Sequence, residues 1–120
     1  MKILIADDSK VMRQIVQRTL RQAGFGHHDF VEAVDGAEGI DKVAAEAPDL
    51  VLSDWNMPNK TGIEFLRALR GSGNAVPFGF VTSEGSEEMR AEAKSAGAMF
   101  LIAKPFTPEH FEAELSGMLG

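Results

Sequence analysis

Leu50-Val51-Leu52-Ser53-Asp54-Trp55-Asn56-Met57-Pro58-Asn59-Lys60-Thr61-Gly62 decides how this chain is read. The first four residues are a short run of strand length. Asp54 ends it, and Asn56, Pro58, Asn59 and Gly62 are turn formers. The stretch is a strand that delivers a carboxylate into a loop. Three other runs end in the same way. Ile3-Leu4-Ile5-Ala6 meets Asp7-Asp8, Phe80-Val81 meets Thr82-Ser83, and Met99-Phe100-Leu101-Ile102-Ala103 meets Lys104-Pro105. Four strand ends therefore carry three acids, a hydroxyl pair and a lysine. In open α/β sheets, sites form outside the carboxyl ends of the strands.

Amphipathic segments separate these runs. Strands are expected over 2–6, 29–33, 50–53, 78–82 and 99–103, with the second of them weak. Helices are expected over 9–23, 37–47, 62–70, 86–96 and 108–119. Val11, Met12, Ile15, Val16, Thr19, Leu20 and Ala23 follow helical spacing in the first. Ser9 is its N-cap and Gly24 its stop. The fourth helix is sparsely apolar, with Met89, Ala93 and Ala96 as its only stripe. The fifth presents Phe111, Leu115, Met118 and Leu119, with Thr107 as its cap. Gly24, Gly36, Gly62 and Gly97 read as turns and caps that need unusual dihedrals. Alternating strands and helices imply a parallel sheet covered on both faces, and near-continuous apolar strands agree.

The 120 residues make one domain, spanning 1–120. No run approaches the ~20 apolar residues of a membrane helix, and acids follow Met1 too soon for a signal peptide. A chain without cysteine has no disulfides, thiolate metal sites or cysteine nucleophiles. A net charge of -6 argues against direct contact with nucleic acid. These features fit a cytoplasmic protein. His27 and His28 lack metal-ligand spacing, and Lys60, Arg67 and Arg70 read as solvated surface.

Asp7-Asp8, Asp54, Thr82 and Lys104-Pro105, in that order, resemble the receiver domain of two-component response regulators, from Lys2 to about Met118. Asp54-Trp55-Asn56-Met57-Pro58-Asn59 is similar to the single-domain chemotaxis (CheY-like) type. The resemblance implies a flavodoxin-like, doubly wound five-stranded sheet in the order 2-1-3-4-5, flanked by five helices, with Asp7, Asp8 and Asp54 together at the switch point. It implies Asp54 as the acceptor of a phosphoryl group from a sensor histidine kinase or phosphotransfer protein. Mg²⁺ (or Mn²⁺) would be held by Asp8 directly, Asp7 through water, Asp54, and the backbone carbonyl of Asn56. Thr82, Ser83, Lys104 and Trp55 would line the phosphate side, with Lys104 before a cis proline. Asn56 and Glu84 would flank the attacking water and favour fast self-dephosphorylation. Thr82 would remodel helix 4, strand 5 and helix 5 as an output face for an unnamed protein. Such a chain is a phosphoacceptor, not an enzyme with its own turnover product.

Departures from the family accompany these matches. Leu101 stands where a switch Tyr or Phe is usual, and Phe100, one place earlier, should point to the other face of the sheet. Ser83 replaces a common Ala or Gly. Glu87 and Arg90 stand where motor-binding relatives carry a lysine and a large aliphatic residue, so motor binding does not follow. Other readings are an Asp-nucleophile phosphohydrolase, which would place Asp-x-Asp after the first strand, and a flavin module, which would need a Ser/Thr-rich phosphate loop. Another is a receiver excised from a longer regulator with a DNA-binding or enzymatic output domain. The chain starts with Met1 and has no linker after Leu119, so a stand-alone protein is expected.

Overall fold

Ile3, Leu4, Ile5 and Ala6 are all buried, as are Leu50, Val51, Leu52 and Ser53. Successive strand residues point to opposite faces, so both faces of this sheet must be covered. A computed structural model describes residues 1–119, and among these there are five strands and five helices. They are β1 (Lys2–Ala6), α1 (Lys10–Leu20), β2 (Asp29–Ala33), α2 (Gly36–Glu46), β3 (Leu50–Ser53), α3 (Gly62–Gly71), β4 (Phe78–Thr82), α4 (Glu87–Ala96), β5 (Phe100–Ala103) and α5 (Pro108–Leu119). All pairings are parallel, in the order β2-β1-β3-β4-β5.

The alternation along each strand divides the core in two. Leu4, Val51, Phe78, Phe80 and Leu101 pack with Val43 of α2, Phe65 and Leu66 of α3, and Ala93 of α4. Ile3, Ile5, Leu50, Leu52, Val81 and Ile102 pack with Val16 and Leu20 of α1 and Phe111 and Leu115 of α5. Met118 packs against the second cluster, and the Leu119 side chain lies outside the described residues. Register then sets the site. Ala6 pairs with Ser53, Ser53 with Phe80, and Thr82 with Ala103. β1 and β3 end level with each other, and β4 and β5 end level two residues further on, so the residues after them meet above one edge.

Helix starts follow local chemistry. Ser9, Asp35, Thr61 and Ser86 each accept a backbone N–H from three residues on, and Thr61 forms a reciprocal box with Glu64. At Thr107 the backbone N–H donates to His110 Nδ1 at 3.2 Å.

Several boundaries differ from expectation. The regular part of α1 ends at Leu20, and a wider π-type turn continues over Arg21–Phe25, so Gly24 (φ 97°) lies inside it. Ser86 is the cap of α4 rather than its first residue, and Met99 precedes β5 as an exposed side chain. Gly97 has the expected left-handed backbone (φ 105°), but Gly36 and Gly62 do not. Those two are glycines for want of space. A Cβ at Gly62 would collide with the Asp54 carbonyl oxygen, and one at Gly36 would lie 2.7 Å from that of Lys60. Arg70 is not free surface either: its guanidinium donates to the carbonyls of Asn74 and Gly97.

Substitution at two α3 glycines should therefore move stability in opposite directions. Gly62→Ala forces backbone apart and should cost about 3 kcal/mol. Gly71→Ala meets nothing within 4 Å and should add about 0.5 kcal/mol through helix propensity. Urea unfolding midpoints at constant m-value check both.

Candidate functional site

Because β1 lies beside β3, Asp7 and Asp54 emerge side by side. The Asp54 N–H donates to the carbonyl of Ala6 at 2.8 Å, and the Asp7 N–H to that of Ala33 at 3.0 Å. One carboxylate oxygen each from Asp7, Asp8 and Asp54 lies within 4.8 Å of the others. Asp7 is buried, Asp54 partly buried and Asp8 exposed. Lys104 arrives from the end of β5. Its Nζ is 3.2 Å from Asp7 Oδ2 and 3.6 Å from Asp54 Oδ2. The Lys104–Pro105 peptide is cis.

The other carboxylate oxygens of Asp7 and Asp54 are held by backbone. Asp7 Oδ1 accepts from the Ser9 N–H at 2.9 Å, and Asp54 Oδ1 from the Trp55 N–H at 2.7 Å. The loop after Asp54 is clamped. Asn59, in a left-handed conformation (φ 64°), donates to Asp35 Oδ2 at 2.7 Å, and the Gly36 N–H donates to the Lys60 carbonyl at 3.1 Å. These amide donors, Glu38 N–H foremost and then Asn59, hold the Asp35 carboxyl below its ordinary value.

Asp54 is shifted the other way. Burial pushes its pKa up, and the nearby Asp7 charge adds to this, while Lys104 and the Trp55 N–H pull it down. The balance is a carboxylate short of solvation, a group suited to a bound cation.

Thr82 is fully buried, and its Oγ1 accepts the Glu84 N–H at 3.3 Å. Its carbonyl accepts the Lys104 N–H at 2.7 Å, which locks the two loop bases together. Ser83, Glu84 and Asn56 are exposed at the rim. The Trp55 indole turns into the core against Phe80, with ring centroids 4.7 Å apart, so Trp55 faces the acids with its backbone. Leu101 is buried on that same side, while Phe100 points to the opposite face. There its ring occupies the space where a Gly79 side chain would be.

Two contributors escaped sequence reasoning. One is the Asp35–Asn59 clamp. The other is Arg13, a buried arginine whose Nη1 donates to the Asp7 carbonyl at 2.6 Å and whose Nε pairs with Glu32 at 2.8 Å. A signal for Arg13 exists. It lies three residues before Val16 and seven before Leu20, on the apolar stripe of α1.

A parallel sheet in this order, with acids and a lysine at its carboxyl edge, defines a doubly wound signalling module, and the chain belongs to the response regulator receiver domain family, whose model matches residues 3–116. It is similar to the chemotaxis protein CheY1 of Helicobacter pylori, at 37% identity over 123 residues, covering 100% of this chain and 98% of that protein. The CheY homolog of Campylobacter jejuni is also 37% identical over 123 residues, with 93% of that protein covered. Among solved structures, the chemotaxis response regulator CheY4 of Vibrio cholerae superposes with a TM-score of 0.83 at 37% identity, over 97% of this chain and 96% of that one. The receiver is thus CheY-like, and no described helix is long and apolar enough to cross a membrane.

The desolvated Asp54 carboxylate opposes folding when ionised. A folded-state pKa above the unfolded one gives a penalty that is fully present above the folded pKa and absent below the unfolded one. Asp54→Asn should therefore raise the thermal midpoint by a few degrees at neutral pH without divalent cation. The gain should fade as pH falls through the carboxylate range. Calorimetry at neutral and acid pH checks both the sign and its loss.

Proposed function

We propose that Asp54 accepts a phosphoryl group from the phosphohistidine of a sensor histidine kinase or phosphotransfer protein, in a reaction that requires Mg²⁺ or Mn²⁺, in the cytoplasm. The observation that carries this reading is the meeting of three carboxylates with the Lys104 ammonium at one sheet edge. The donors suit a hard cation, because all three side chains offer oxygen and two are partly withdrawn from water. Asp8, Asp7, Asp54 and the Asn56 carbonyl would hold it. When bound, magnesium neutralises charge on the phosphoryl oxygens.

The chain's own residues supply the rest. An Asp54 oxygen attacks phosphorus, forming the O–P bond as the P–N bond to histidine breaks. Lys104, 3.6 Å from Asp54 Oδ2, is placed to meet a phosphoryl oxygen. Thr82 Oγ1 accepts the Glu84 N–H, which leaves its own hydrogen to donate. Movement of Thr82 toward the new phosphate pulls on the Glu84 bond and drags the loop before α4 with it. Arg90 ties this loop to β5, with Nε on the Gly85 carbonyl at 3.2 Å and Nη1 on the Leu101 carbonyl at 2.9 Å. Movement at Thr82 is thereby passed to α4, β5 and α5. These elements enclose a groove of about 330 Å³ whose lining includes Arg90, Leu101, Lys104 and His110. Asn56 and Glu84, at the rim, orient water for dephosphorylation within seconds to a few minutes.

Acetyl phosphate with Mg²⁺ should add one phosphoryl group, labile to alkali and absent in Asp54→Asn. Undiminished labelling of that variant refutes the acceptor. An hours-long lifetime of the label counts against the roles of Asn56 and Glu84.

Thr82→Ala should remove most of the amide NMR shifts that beryllofluoride induces in α4. Leu101→Ala should act mainly through lost packing, costing about 2 kcal/mol or more with those shifts retained. The reverse pattern would show that Leu101, not Thr82, carries the switch.

A further inference from the structure

We infer that Arg13 is a positioning residue: it fixes the Asp7–Asp8 peptide, and through it the direction in which Asp8 offers its carboxylate to a divalent cation. This rests on the reading of Asp7, Asp8 and Asp54 as metal residues.

Asp7 is held at every polar atom. Its N–H meets the Ala33 carbonyl, Oδ1 the Ser9 N–H, Oδ2 the Lys104 ammonium, and its carbonyl the Arg13 guanidinium. Asp8 is the opposite case. It is exposed, and its side chain has no hydrogen bond or ion pair among the described residues. Only the backbone sets where its carboxylate begins. That backbone starts with the peptide whose carbonyl Arg13 grips at 2.6 Å. With the carbonyl pinned, the torsions on both sides of the peptide have little freedom.

The guanidinium is itself anchored. Its side chain is only 10% exposed, and Nε pairs with Glu32 Oε1 at 2.8 Å. Glu32 lies on β2, directly opposite Ile5 of β1. Arg13 therefore bridges from α1 to the end of β1 and to β2. A planar fork that serves a carbonyl and a carboxylate together is a task for arginine, and lysine's single ammonium cannot serve both in the same geometry. Burying a charge in this way is costly unless it is paired, which explains why Glu32 accompanies it.

Charge and position make opposite predictions here. Arg13 is a cation beside a cation site. If it acted only through charge, its removal would tighten metal binding. If it acts by orientation, its removal weakens binding although a repulsive charge has gone. Outer partners that aim a metal ligand are commonly worth about 10-fold or more in affinity.

The test is a Mg²⁺ titration of the full chain, followed by fluorescence of Trp55, the sole tryptophan and the neighbour of Asp54. Arg13→Lys and Arg13→Gln should each raise the Mg²⁺ dissociation constant about 10-fold or more. At saturating Mg²⁺, labelling of Asp54 by acetyl phosphate should return to the wild-type rate. In an Asp8→Ala background, Arg13→Lys should add no further loss, because both changes act on one ligand. Should Arg13→Gln not fold, Arg13→Lys and the double variant carry the test alone. An unchanged Arg13→Lys curve, a tighter Arg13→Gln curve, or losses that add in the double variant would each overturn the inference. A wild-type protein without any Mg²⁺ response would instead bring down the metal reading, and this inference with it.

Discussion

Like charges that must stand together are the constraint on which the rest of this site depends. Two apolar strands, β1 and β3, pair because both are buried, and their register brings Asp7 and Asp54 to the same edge. A buried and a partly buried carboxylate less than 5 Å apart repel by roughly 3 kcal/mol at an effective dielectric of about 20. One lysine attracts them by a similar amount and cannot balance them and Asp8 as well. The fold therefore holds a local excess of negative charge at this edge. The loop clamps, the glycines without room for a side chain, and the anchored arginine all keep the acids from relaxing apart.

Much of this was readable from the residues. Four apolar runs of strand length fell where the buried strands lie, because burial on both faces leaves little choice of residue, while β2, with Asp29 and Glu32 in it, gave the weak signal. The acids, hydroxyl and lysine at their ends were visible as abrupt changes of polarity. Strand order was not visible, since periodicity says nothing of which buried strand lies beside which, and it came from the family resemblance. The contributors that stayed hidden share a cause. Arg13, Arg70, Asp35 and Asn59 are polar, and polar residues are read as solvated unless a partner distant in sequence is known. Arg13 reaches Glu32, 19 residues away, and Asn59 reaches Asp35, 24 residues away. The glycines misled for a related reason: φ is local, but the carbonyl that excludes a Cβ at Gly62 is supplied by the folded loop.

The proposed output face lacks the aromatic that is usual in the family at position 101. A buried leucine at position 101 has no polar tip to report the state of Thr82. A polar link between the same two elements is nonetheless present, since Arg90 bonds to the carbonyls of Gly85 and Leu101. It grips backbone, so it is indifferent to which side chain position 101 carries. Its exposed guanidinium also changes the charge that any partner at this groove meets.

The ion pair between Lys104 and Asp7 joins residues 97 apart in sequence. On the ribosome the acids emerge long before the lysine that offsets them, and β5, which delivers that lysine, is an edge strand with β4 as its one strand partner. A nascent chain thus carries the three acids without the lysine that offsets them. The same holds for a chain whose last strand has frayed, even while most of the sheet survives. Under the proposed reading, readiness to take a phosphoryl group therefore waits on the last strand of the sheet to be made.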